Sequence, residues 1–126
     1  MRTGVSTDQA PRAIGPYSQA IRAGGLVFCS GQIPLRADGS LVSGDIVAEA
    51  KQVMENLVAV LSEAGASPAH VARSTIYLTD LAHFAQVNDV YGSYFGVPYP
   101  ARATVQVAAL PKGARIEIDA VAVVGQ

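Results

Sequence analysis

The sequence predicts an α+β fold, one domain over residues 1–126 with two helices packed on the same face of a mixed sheet. Three observations carry that prediction. Two stretches repeat apolar residues at helical spacing. Five shorter stretches are β-branched or alternate. The resulting order, β-β-α-β-α-β-β, has too few helices to cover both faces of a sheet.

Residues 17–23 and 26–30 read as two short strands. Gly24-Gly25 between them is a strong hairpin signal, because tight turns favour residues that tolerate positive φ. Residues 34–45 hold Pro34, Gly39 and Gly44 and read as a loop. The first helix is expected over residues 46–64. Ile46, Ala50, Val53, Met54, Leu57, Leu61 and Ala64 form its apolar stripe, and Glu49, Gln52, Glu55, Asn56 and Glu63 its other side. Asp45 can cap its start and Gly65 its end. Ser67-Pro68 then suits a single turn.

Residues 73–79 (RSTIYLT) alternate and are β-branched, so they read as a strand. Asp80 can cap a second helix over residues 81–95. Leu81, Phe84, Val87, Tyr91 and Phe95 mark its buried face, and Gly96 and Pro98 stop it. Residues 101–109 and 115–124 are the last two strands, separated by the turn-prone Leu110-Pro111-Lys112-Gly113. A sheet face rich in Val, Ile and Ala does not stay in water. A homo-oligomer that buries those faces is therefore expected, with a closed ring as its natural geometry.

Composition narrows the function classes. Half of the residues are hydrophobic, 15% are charged and the net charge is −1. That excludes a disordered chain, and no basic stripe marks a nucleic-acid binder. Cys29 is the single cysteine, so no internal disulfide can form, and a reducing compartment fits. The polar N-terminus lacks the apolar core of a signal peptide, and no apolar run approaches the ~20 residues that span a bilayer. A cytoplasmic protein with no membrane partner is expected. No CxxC, HExxH, P-loop, GxGxxG or GxSxG is present, and His70 and His83 are not at ligand spacing. Neither a metal nor a cofactor is expected.

What remains is a set of polar residues where the pattern wants apolar ones. Arg102 stands in Pro100-Ala101-Arg102-Ala103-Thr104-Val105, at the start of a strand of small and branched residues. It can serve an internal ion pair, lie exposed at a strand end, or capture a carboxylate with its planar fork. Alternation puts Glu117 and Asp119 on one face of the last strand, either as a solvated face or with Glu117 as a carboxylate that takes a proton from water. Asn88 falls on the apolar side of the second helix, where buttressing a loop is a commoner role than touching a ligand. Tyr17 can point into a cleft or pack half-buried. Ser30-Gly31 ends the second strand, where glycine either admits a ligand to the backbone or shapes a turn. Cys29 reads as core.

Taken together, Ala13-Ile14-Gly15-Pro16-Tyr17-Ser18-Gln19-Ala20, Ser30-Gly31-Gln32-Ile33-Pro34, and the run from Pro100-Ala101-Arg102 through Leu110-Pro111-Lys112 to Ile116-Glu117-Ile118 closely resemble the reactive intermediate deaminase (RidA) family. The resemblance covers nearly the whole chain. It implies a chorismate-mutase-like α+β fold and a homotrimer with clefts between subunits. It also implies cofactor-free hydrolysis of 2-iminopropanoate and 2-iminobutanoate to the 2-oxo acid and ammonia. By position, Arg102 would grip the substrate carboxylate and Glu117 would place the water. Tyr17 could help supply a proton to the imine. Tyr17, Ser30, Gly31 and Asn88 would line the cleft, and the Thr104 backbone N–H would touch substrate. The chain departs from many members at Thr104, where they carry Cys, and at Gln106, where they carry Glu; residues 96–99 are short beside them. The alternatives are a non-catalytic, carboxylate-binding regulatory member and a ribonuclease or translation inhibitor.

One geometric tension is visible in advance. If the last two strands formed a tight hairpin at Lys112, Arg102 would lie roughly 17 Å from Glu117 along the strands, at about 3.3 Å per residue. A working cleft then needs another register, or residues drawn from different strands or subunits.

Overall fold

The structure, a computed structural model, describes residues 1–125. Its strands are β1 (Arg2–Val5), β2 (Ala20–Ala23), β3 (Leu26–Gln32), β4 (Val71–Leu78), β5 (Ala101–Gln106) and β6 (Ile116–Val123). They form one six-stranded sheet in the order β1-β2-β3-β6-β4-β5. Neighbours are antiparallel except β4 and β5, which run parallel. The helices are α1 (Ile46–Glu63) and α2 (Phe84–Gly92). The expected α+β class holds, with one strand more than the predicted order: β1 precedes the rest.

Chirality explains why both helices share a face. The chain runs β3–α1–β4 and then β4–α2–β5, and both crossovers move the same way across the sheet. Parallel crossovers are right-handed, so two that advance in one direction place their helices on one side. Along β6, Ile116, Ile118, Ala120 and Ala122 are buried beneath the helices, and Glu117, Asp119, Val121 and Val123 face away. On that open face Phe28, Val105 and Val123 remain exposed.

Local chemistry matches the predicted boundaries in several places. Gly24 and Gly25 have φ of 57° and 79°, as the β2–β3 turn requires. The Asp45 carboxylate accepts from the Val47 N–H at 3.0 Å and caps α1. Gly65 follows α1 at φ 83°.

Other expectations need correction. The second helix is shorter than residues 81–95. Asp80 caps a 3-10 turn (Leu81–His83) that leads into α2, and α2 ends at Gly92. Leu81 is exposed rather than buried. Tyr17 lies before β2, not within it. Glu49 and Asn56, expected on the outer side of α1, are both 1% exposed. Glu49 forms a salt bridge with Arg115, and the Asn56 amide donates to the carbonyls of Ile33 and Leu35 at 3.2 and 2.8 Å. Glu49 and Asn56 thus both have partners, which is why their burial is tolerated. Cys29 is buried as expected, and burial pushes its thiol up to about 12. Among the described residues no helix is long and apolar enough to cross a membrane.

The last two strands do not pair with each other. β4 lies between them, so the hairpin at Lys112 is not formed. Arg102 pairs with Ser74 on one side of β4, and Glu117 pairs with Tyr77 on the other. Ser74 is buried towards the helices, whereas Tyr77 lies on the open side with Glu117. Arg102 and Glu117 therefore sit on opposite faces of one sheet.

Candidate active site

The proposed residues fall into two separate clefts. Tyr17, Ser30, Gly31 and Glu117 line one of about 410 Å³, together with Arg12, Ile14, Ile33 and Pro111. Asn88 and Arg102 line a second of about 570 Å³, with Asp89, Tyr91 and Tyr99. Thr104 is a wall of neither. It stands two residues beyond Arg102 on the helix-facing side of β5, and its Oγ1 is buried without a hydrogen-bond partner.

The Glu117 cleft is shaped by a break in β3. The β3–β6 register shifts between Cys29 and Gln32, which places Ser30 and Gly31 in an irregularity. Such bulges re-aim side chains beside active sites. A Cβ on Gly31 would stand 2.7 Å from Glu117 Cδ, so only glycine leaves the carboxylate its place. The Ser30 hydroxyl donates to the Ser18 carbonyl at 2.6 Å, which leaves its oxygen as an acceptor towards the cleft. Tyr17 is 52% exposed, and its phenol oxygen accepts a long bond from the Ile14 N–H at 3.4 Å. Burial pushes the Glu117 carboxyl above its ordinary range, and the charge of Asp119 adds to the effect.

Sequence reasoning missed the device that holds the loop over this cleft. Gln19 is buried, donates to the carbonyls of Thr7 and Pro11 at 3.1 and 2.8 Å, and accepts from the Thr7 N–H at 2.7 Å. A pair of polar residues, Ser18 and Gln19, just before a strand was the available signal.

The Arg102 cleft is assembled from β5 and α2. The Arg102 Nη1 donates to Asn88 Oδ1 at 2.7 Å. Its guanidinium carbon lies 5.5 Å from the Phe84 ring centroid and 5.0 Å from that of Tyr91. Aromatic faces attract a guanidinium without neutralising it. Asn88 therefore buttresses the arginine rather than a loop. No carboxylate pairs with Arg102 among the described residues, where the one salt bridge is Arg115 to Glu49. A half-buried cation held by neutral groups keeps its charge and most of its five donors for an external anion. The internal-ion-pair reading of Arg102 is thereby removed. Gln106 acts locally, since its Oε1 accepts from the Leu81 N–H at 2.9 Å and ties β5 to the turn before α2.

Comparison with known proteins gives the family. The family model described as Endoribonuclease L-PSP matches residues 7–124. Human 2-iminobutanoate/2-iminopropanoate deaminase is 48% identical over 126 residues, 99% of this chain and 92% of that protein. The chain belongs to the reactive intermediate deaminase family. Within the family, Protein DfrA of Myxococcus xanthus is 59% identical over 125 residues, 97% of this chain and 95% of its own length. The crystal structure of RidA from the Antarctic bacterium Psychrobacter superposes with a TM-score of 0.92 at 43% identity, covering 96% of this chain and 98% of that one. Relatives that carry the deaminase name thus align with the chain from end to end. Among the described residues no group of His, Cys, Asp and Glu could hold a metal ion.

Proposed function

We propose that the chain hydrolyses short 2-imino acids, such as 2-iminopropanoate and 2-iminobutanoate, to 2-oxo acids and ammonia. The single observation that carries the reading is Arg102, a half-buried guanidinium held by Asn88, Phe84 and Tyr91, with no acid among the described residues to neutralise it. A small carboxylate is the partner such a fork suits.

Arg102 and Glu117 of one chain are back to back across the sheet. The reading therefore places each working cleft between two copies, the arginine pocket of one facing the Glu117 pocket of the next. A cyclic homotrimer closes that head-to-tail contact and covers the exposed Phe28, Val105 and Val123. In the cleft, Arg102 binds the substrate carboxylate and fixes the imine carbon. Glu117 of the neighbouring copy takes a proton from water as its oxygen bonds to that carbon. The C=N bond becomes a C–N single bond, and the nitrogen gains a proton, with the exposed Tyr17 hydroxyl available to relay it. Glu117 then returns its proton to the nitrogen, the hydroxyl gives up its own to the freed carboxylate, and collapse to the C=O bond expels ammonia. No oxidant, reductant or metal is consumed.

The test is a coupled assay in which a threonine dehydratase makes 2-iminobutanoate in place. Added protein is expected to accelerate ammonia release in proportion to its concentration. No acceleration at high concentration contradicts the reading. Binding of 2-oxobutanoate without turnover would instead indicate a carboxylate-binding regulator.

A further inference from the structure

Glu117 is not the only carboxylate on the open face of β6. Asp119 is next on the same face, about 7 Å along the strand. The two are held very differently. Asp119 Oδ1 accepts from the Thr75 N–H at 2.9 Å, and its Oδ2 accepts from the Tyr77 hydroxyl at 3.0 Å. Thr75 and Tyr77 are the β4 residues paired with Asp119 and Glu117 themselves. Glu117 has no hydrogen-bond donor among the described residues, and the absent side chain of Gly31 gives it room. One carboxylate is thus tied down while its neighbour is left without a tether in a cleft.

We propose that Asp119 is a positioning residue for the hydrolysis: a carboxylate, locked onto β4 by Thr75 and Tyr77, that keeps Glu117 ready to take up and return the proton of the attacking water. The inference rests on the deaminase reading above. A carboxylate is an effective general base when a proton on it is not strongly disfavoured. Paired carboxylates with contrasting surroundings divide such roles. Burial and Asp119 both disfavour the charged form of Glu117. The other groups around Glu117 do not substitute for this effect. β3 brings Ser30 and Gly31, which carry no charge, and β4 brings the Tyr77 phenol, which is engaged with Asp119. The N-terminal loop brings Tyr17 and the exposed Arg12, whose positive charge acts in the opposite sense.

The experiment is the pH profile of kcat/KM for the wild type, Asp119→Asn and Asp119→Glu, with oligomeric state checked for each. Removal of the negative charge makes ionised Glu117 easier to form. The acid limb in Asp119→Asn is therefore expected to move to lower pH, and the plateau to fall about three- to tenfold because the base is weaker. Asp119→Glu, which keeps the charge, is expected to retain the wild-type limb. Substrate ionisation is common to all variants, so it moves none of the differences. A merely structural role would lower the amplitude and leave the limb in place. An unmoved limb in a folded Asp119→Asn protein overturns the proposal. If that variant does not fold, the unmutated protein decides: the Glu117 carboxyl carbon, followed by NMR, is expected to titrate above the ordinary glutamate range. Titration at or below that range overturns the proposal. Failure of the deaminase reading is distinct, since it is absence of turnover in the wild type at every pH.

Discussion

The cleft around Glu117 and the cleft around Arg102 are built by opposite means. The first lies on the open face of the sheet, where a break in β3, a glycine and a loop held by Gln19 make room for a carboxylate with no hydrogen-bond donor among the described residues. The second lies on the helix-covered face at the β5 edge, where α2 supplies an amide and two aromatic rings that hold a cation rigidly. One region leaves its charge free to change protonation. The other holds a guanidinium in a fixed place. A base needs the former and a carboxylate anchor needs the latter. The two regions face away from each other, so under the proposed reading each is a half-site that a second copy completes.

Removing either charge tests the two clefts most directly. Arg102→Ala is expected to lower kcat/KM by about 10³-fold or more, because the substrate loses its anchor and its orientation. Glu117→Gln is expected to cost about 10²- to 10⁴-fold, mainly in kcat. Steady-state assays with circular dichroism and sedimentation check both, and near-full activity in either folded variant removes that half-site from the mechanism. Gly31→Ala disturbs only the Glu117 cleft. Its Cβ displaces the carboxylate, and about a 10²-fold fall in kcat is expected with binding of 2-oxobutanoate retained. Phe84→Leu disturbs only the Arg102 cleft. Loss of one ring face is expected to raise KM several-fold, up to about tenfold, with a smaller change in kcat.

The smallest expected effect concerns stability. The folded state raises the Glu117 carboxyl above its unfolded value. Protonated Glu117 is thus favoured by folding at low pH, and that contribution is lost as pH rises through the folded value. Relative to Glu117→Gln, the wild type should lose melting temperature as pH rises from the acid range to neutrality. A difference that is flat with pH, or that runs the other way, contradicts the view of Glu117 as a partly buried, donor-poor carboxylate.

Much of this was legible in the sequence, for identifiable reasons. The apolar stripe of α1, the Asp45 cap and the Gly24-Gly25 turn are local signals, and local chemistry fixed them. Arg102 and Glu117 stood out because each interrupts an apolar strand. β1 was invisible, since Arg2–Val5 is four residues long, includes Gly4 and buries only Val5. The burial of Glu49 and Asn56 was misread because their partners, Arg115 and the carbonyls of Ile33 and Leu35, are distant in sequence. The insertion of β4 between β5 and β6 is likewise long-range. No local pattern encodes it, yet it sets which face each half-site occupies.

The most direct measurement mixes the two inactive variants. Arg102→Ala and Glu117→Gln subunits are dissociated, combined in equal amounts and reassembled. If each cleft takes Arg102 from one copy and Glu117 from the next, random assembly restores about a quarter of wild-type activity. If the mixture stays as inactive as its components while forming mixed oligomers, the cleft is not shared between chains, and the account is wrong.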